Sequence, residues 1–279
     1  MHKSGDGMRK PVLCCAALAM ALCILIALAL ANSENARWPA EPNTRSLKSN
    51  GKLQIDAANV SEGYFQARLS SSSKRKMKLR VVKGGTTLTY NLNTDGDFEI
   101  FPLQLGSGSY DILLYENVSG SKYSSAGKIS LSVKLSDEDV CFLYPNQYVN
   151  YTQLTEAVKQ ADIICEGLAG EEAYQAVCKY MKTHFGYDYI KALTIKAGVL
   201  PDIDGAWAKN LGICQDLSAI TCCMLRTQGV TAKMMIGYAD KNYHAWVTAI
   251  IDGKEYFFDP TAAVNAISGV KAYSVERFY

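Results

Sequence analysis

The chain has 279 residues, 48% of them apolar and 20% charged, with a formal net charge of +2. That length can bury one large core or two small ones. The near-neutral balance gives no reason to expect nucleic acid, whose recognition needs a concentrated basic face. The one basic run, Lys74-Arg75-Lys76 with Lys78 and Arg80, adjoins a Ser-rich turn and reads as a solvated loop and strand face.

Lys3, Arg9 and Lys10 precede an uncharged stretch from Val12 to Ala31, rich in Leu, Ala, Ile and Cys. A positive start followed by an apolar run is the pattern of an export signal, and Ala29 and Ala31 offer a cleavage site. About 20 apolar residues also suffice to span a bilayer if left uncut. Residues 1–31 are therefore expected to be a signal peptide or a membrane anchor. Either one puts the rest of the chain outside the cytoplasm or at the cell surface, with the membrane as partner only if the segment is retained. Residues 32–50 are polar, carry Pro39 and Pro42 and lack periodicity, which reads as a linker.

From 51 to 136 the texture changes to short alternating runs, among them Gly63 to Leu69, Met77 to Val82, Thr87 to Leu92, Tyr110 to Tyr115 and Lys128 to Val133. Turn signals such as Gly84-Gly85 and Asp95-Gly96 separate them. Period-two alternation at roughly ten-residue spacing predicts a small all-β sandwich. It holds no histidine or cysteine, and a spacer or adhesion module is the reading favoured for it. Residues 137–279 turn helical first: one run opens at Thr152 as N-cap, a second covers Glu171 to Phe185, and a third runs from Cys214 to Gln228. A loop with Gly198, Pro201 and Gly205 lies before the third. Three strand-like runs follow, Thr231 to Tyr238, His244 to Ile251 and Lys254 to Asp259. Helices and then an antiparallel sheet make this second domain α+β.

Of nine cysteines, Cys14, Cys15 and Cys23 lie in the export segment. If Cys214 is a free nucleophile the remaining five cannot all pair, although Cys165 and Cys178 could bridge two helices. Beyond residue 31 the only histidines are His184 and His244, and no Cys/His spacing suggests zinc.

Three local features bear chemistry. Cys214 opens a helix, where free backbone N–H groups and the helix dipole favour a thiolate and could steady an oxyanion. His244 opens a strand, placed to take a proton from that thiol and return it to a leaving group. Asp259 ends an apolar strand, where an acid is costly to bury unless an imidazole satisfies it. His244 precedes the Asp252-Gly253 turn by eight residues and Asp259 follows it by six, so both fall near the far end of one hairpin. Each feature alone has an ordinary structural explanation; their order gives the combination its weight.

At these residues the sequence resembles the transglutaminase-like superfamily of papain-like fold. The motifs read Gly212-Ile213-Cys214-Gln215-Asp216, His244-Ala245-Trp246, and Tyr256-Phe257-Phe258-Asp259-Pro260-Thr261. Gly229 to Lys233 with Gly237-Tyr238 resembles the usual joining segment, and Tyr187-Asp188-Tyr189 matches an upstream element of bacterial members. The resemblance covers about Leu154 to Ala262 and departs at Leu217, where an aromatic is common. It implies a papain-like core of helices packed on an antiparallel sheet, preceded here by the sandwich, with the triad Cys214, His244 and Asp259. Such a triad attacks amide carbonyls through a thioester, releasing it to water or to an amine. The expectation is an exported acyl-transfer enzyme acting on protein or cell-wall peptide amides, leaning to hydrolysis, with no metal or organic cofactor needed. Trp207 and Trp246 are candidate walls of the substrate cleft, Trp207 being read more readily as core. The alternative is a catalytically silent member of the same fold that binds peptides or assembles surface proteins.

Overall fold

The computed structural model describes residues 36–279. Alternating apolar and polar residues suit a strand with one face buried and one wet. They form β1 (Lys48–Asn50), β2 (Leu53–Asp56), β3 (Tyr64–Leu69), β4 (Met77–Lys83), β5 (Thr86–Leu92), β6 (Glu99–Pro102), β7 (Gly108–Ser119) and β8 (Lys122–Val133). In β5, for example, Leu88, Tyr90 and Leu92 are buried while Thr87, Thr89 and Asn91 are exposed. The strands make two four-stranded sheets, ordered β1-β2-β3-β6 and β5-β4-β7-β8, all antiparallel.

The second region holds α1 (Glu156–Ile164), α2 (Gly170–His184), β9 (Gly186–Tyr187), α3 (Tyr189–Thr194), α4 (Ile203–Lys209), β10 (Leu211–Gly212) and α5 (Cys214–Thr227). After them come β11 (Thr231–Ala239), β12 (Asn242–Ile251), β13 (Lys254–Phe258), α6 (Pro260–Val264) and β14 (Tyr273–Phe278). The last strands form an antiparallel sheet in the order β13-β12-β11-β14, and β9 and β10 make a short parallel pair. Helix α5 packs on β11 and β12 and is flanked by α1, α2 and α4. Every residue of α5 from Asp216 to Thr227 is buried, as expected of a helix enclosed on all sides.

Several sequence expectations need correction. The stretch 32–50 is not a free linker over its described part. Trp38 meets Tyr151 edge-on at 5.8 Å, Ala40 N–H donates to Tyr64 Oη, Asn43 N–H donates to Asp56, and β1 pairs with β2. Helix α1 starts later than Thr152 because that hydroxyl serves a local turn, accepting from Leu154 N–H, and Thr155 takes the N-cap position. Part of the supposed loop around Gly205 is helix α4, capped by Asp202, whose carboxylate accepts from Gly205 N–H. A Cβ on Gly205 would lie 2.1 Å from that carboxylate. Cys165 and Cys178 do not bridge, and the six described cysteines are all free thiols. The expected export segment lies outside the described residues, and no helix among the described residues is long and apolar enough to cross a membrane.

The two regions meet through a seam of aromatic rings. Tyr148 stacks on Tyr279 at 3.5 Å, Tyr90 of the sandwich meets both, and Tyr64 contacts Tyr144 at 4.8 Å. Gln104 adds a donor to the Phe278 carbonyl. Behind this seam Arg226, near the end of α5, is fully buried and donates to the carbonyls of Tyr144, Ala232 and Tyr279 at 2.7–2.9 Å. One guanidinium thus ties the helix that begins at Cys214 to the connector, to β11 and to the residue after the last strand. Replacing it with an apolar chain of similar length would strand these carbonyls, at about 1–3 kcal/mol for a buried unsatisfied group. Arg226→Met should therefore lower unfolding free energy by about 3 kcal/mol or more in a urea titration.

Candidate active site

Chain geometry brings Cys214 and His244 to the same height. From Thr227 back to Cys214, α5 rises about 20 Å at roughly 1.5 Å per residue. From Thr231 forward to Gly237, β11 covers about 20 Å at roughly 3.3 Å per residue. Gly237 pairs with His244 on β12, so the helix tip and the histidine reach the same end of the domain. The hairpin then supplies the acid. Its register ends with Val247 opposite Phe258, which makes Asp259 a diagonal neighbour of His244, within reach of a side chain.

His244 Nε2 lies 2.8 Å from Asp259 Oδ2. The Cys214 thiol acts on the same ring as a hydrogen-bonding and charge partner. Burial alone would lower the imidazole pKa, but the bonds to Asp259 and then Cys214, with their charges, carry it from 6.5 up to about 9. Asp259 is pulled upward by burial, yet His244, the Ala262 N–H and the Tyr273 hydroxyl outweigh this and hold it below its ordinary value. Ala262 N–H donates to Oδ1 at 3.0 Å because Asp259 is also the N-cap of α6, with Pro260 opening that helix. Tyr273 Oη donates to Oδ2 at 2.8 Å.

Tyr273 is a residue that the motifs do not reveal. It lies on β14, beyond the stretch that carries them, and only its place in a terminal strand brings it back to the site. Gly237 makes that approach possible: β14 shifts register between Ile236 and Gly237, and a Cβ on Gly237 would lie 1.9 Å from the Ser274 carbonyl.

The helix start at Cys214 is held by Asp216, a fully buried carboxylate. It accepts from Ile213 N–H at 3.0 Å, from Asp202 N–H at 3.0 Å and from Lys191 Nζ at 2.7 Å. Lys191 sits on α3, which Asp188 caps. Tyr187, next in line, pairs with Gly212 across β9 and β10. Burial, then the nearby Cys214, raise the Tyr187 hydroxyl to about 12. The Tyr187-Asp188-Tyr189 element is therefore a wall and brace of the cysteine loop.

Neither tryptophan is an open cleft wall. Trp246 is 2% exposed and lies under Tyr273, ring centroids 5.0 Å apart, so the expected substrate contact is withdrawn for it. Trp207 is half-buried between Tyr180 at 6.0 Å and Phe185 at 5.3 Å, which is the packing role.

Because the folded imidazole binds its proton more tightly than the unfolded one, its contribution to stability is fully present below about pH 6.5. It fades as pH rises through about 9. Asp259→Asn should bring the His244 pKa down toward or below its ordinary value in an NMR titration of the ring. Tyr273→Phe should produce a smaller fall, since it loosens the carboxylate without removing its charge.

Residues 160–260 match the model of the Transglutaminase-like superfamily. No curated protein matches the chain. Among solved structures, a candidate cysteine protease from Cytophaga hutchinsonii is 14% identical, covering 78% of this chain and 79% of its own, with a TM-score of 0.40. The periplasmic domain of TgpA from Pseudomonas aeruginosa is 15% identical over 79% of this chain and 76% of its own, TM-score 0.37. Red sea bream transglutaminase is 12% identical over 71% of this chain and 48% of its own, TM-score 0.30. At such identities and scores these likenesses add nothing to the assignment, which stands on the matched segment and the helix-and-sheet architecture. The domain that carries Cys214, His244 and Asp259 belongs to the transglutaminase-like superfamily.

Proposed function

We propose that the chain is a cysteine-dependent acyl-transfer enzyme acting outside the cytoplasm on peptide or glutamine amides. Cys214 is the nucleophile, His244 the acid and base, and Asp259 the group that orients the imidazole. The observation that carries this reading is the 2.8 Å bond from His244 Nε2 to Asp259, on a ring whose pKa the neighbouring Cys214 helps to raise. Nδ1 is thereby left for the sulfur. Placement outside the cytoplasm rests on the sequence of residues 1–31 alone.

With a pKa of about 9, the imidazole holds a proton at neutral pH. A cationic ring beside the sulfur, together with the dipole of α5, favours the thiolate. The thiolate adds to the amide carbonyl, and N–H groups in the first turn of α5 receive the developing oxyanion. His244 then gives its proton to the departing amine, leaving a thioester and a neutral ring. The ring next takes a proton from water or from an incoming amine, which attacks the thioester and expels the sulfur as thiolate, restoring the starting ion pair. Hydrolysis is the favoured outcome, since water is always at hand.

The other described thiols provide the internal control. Burial pushes Cys165 up to about 11 and Cys141, Cys178 and Cys222 up to about 12, while Cys223 is raised well beyond an ordinary thiol. Iodoacetamide at neutral pH should modify Cys214 at least tenfold faster than any of them, and His244→Ala should slow that reaction. Turnover of peptide amides should vanish in Cys214→Ala with the circular dichroism spectrum unchanged. Full activity in that variant would remove Cys214 from the reaction, and labelling spread evenly over the cysteines would leave a binding protein of the same fold.

A further inference from the structure

From Tyr189 to Pro201 the chain has no acidic residue, and its only charges are Lys191 and Lys196. The first six residues form α3, and the rest belong to the loop that leads to α4. Ile190 is 78% exposed, Leu193 88%, Tyr189 64% and Val199 49%. A lone apolar residue at the surface needs no explanation, but a contiguous group marks a face that meets something other than water. The segment is fastened from beneath. Lys191 Nζ reaches the buried Asp216, the Tyr189 hydroxyl donates to Asn265 Oδ1, and Asp188 caps the helix by accepting from Lys191 N–H. Ile190 and Leu193, three residues apart, share the side of the helix that is left outward. The exposure therefore belongs to an anchored helix and not to a frayed one.

The other end of the chain indicates what covers this face. Residues 12–31 are apolar and long enough to span a bilayer. From Ala31 to Ala36, the first described residue, the backbone can reach at most about 18 Å. Two residues further on, Trp38 is already packed against Tyr151. Trp38 and Pro39 line the same cleft as Leu200, at the end of the apolar run. With residues 12–31 in a bilayer, the body is thus tied to the lipid on the side where the run lies. Tyr, Ile, Leu and Lys together suit the headgroup layer, the apolar chains facing inward and the ammonium groups meeting anionic phosphates. Lys196 forms no ion pair among the described residues, which leaves it for that role. A protein groove is the less apt partner, since α3 has six residues and offers two outward anchors where a helix seated in a groove uses a longer series. We propose that residues 189–200 dock on the anionic surface of the bilayer that holds residues 12–31, with Ile190, Leu193 and Val199 in the headgroup layer and Lys196 on its phosphates. The Val199 carbonyl accepts from Gln215 Nε2, and Tyr187 pairs with Gly212 across β9 and β10, so the end of the domain that bears Cys214 is turned toward the lipid. The docking face stands whether or not that thiol is reactive.

The test uses the full chain reconstituted into vesicles of equal parts phosphatidylglycerol and dibrominated phosphatidylcholine, whose bromine quenches tryptophan on contact. Leu193→Trp should add emission that bromine quenches about threefold more than the emission added by Thr89→Trp, an exposed position on β5 of the sandwich. Both sites are at the surface, and circular dichroism should match the parent. Ile190→Glu and Lys196→Glu, each combined with Leu193→Trp, should cut that quenching by about half or more. The proposal is overturned if the two added tryptophans are quenched alike. It is equally overturned if either glutamate leaves the quenching at residue 193 unchanged, because nearness to lipid would then come from the tether alone. Emission at residue 193 that ignores bromine but shifts on adding a leucine-rich peptide would make a polypeptide the occupant and overturn it too. No arm reads turnover, so none of these outcomes bears on Cys214.

Discussion

A carboxylate taken out of water has to be met by donors, and the arrangement around Asp259 is the constraint from which the site follows. Its two oxygens accept from the start of α6, from a ring on β12 and from a hydroxyl on β14. Three separate elements are thereby aimed at one point. The charge kept on that acid is what holds His244 cationic despite its burial, for desolvation by itself would drive the imidazole the other way. The tilt of the ring, and its tautomer when neutral, are set by the same bond.

A second buried acid does for the helix what Asp259 does for the ring. Asp216 meets the N–H of Ile213 and the ammonium of Lys191, so the first turn of α5 cannot fray away from the Tyr187 wall. The lysine is only partly enclosed while the carboxylate is not exposed at all. The pair is therefore better regarded as a positional device than as a source of stability, since burying such charges costs much of what their attraction returns.

Much of the fold was legible because the relevant signals are local. The alternation in β3, β4, β5, β7 and β8 and the helical runs of α2 and α5 fell close to where they are found. The expected hairpin arithmetic for His244 and Asp259 agrees with the observed register, because pairing is set by a two-residue turn and cannot slip without reversing faces. The illegible parts depend on distant partners. Nothing near Tyr273 announces its bond to Asp259, which exists only because β14 pairs with β11 beside a glycine. The short helices α3, α4 and α6 begin at acidic caps that read equally well as turns. Residues 36–50 looked like a tether because their partners are backbone and ring groups in other segments. Trp246 looked like a cleft wall because a motif gives the strand a residue occupies but not what lies over it.

The stacked rings at the seam have a consequence for the gap between the two regions. Tyr148 and Tyr279 lie nearly parallel at 3.5 Å, and the buried Arg226 grips the carbonyl of Tyr144 from the other side. The two bodies are clamped rather than hinged, so the entropy of setting the gap's width is spent once, when the chain folds. Changing that width would mean breaking the clamp.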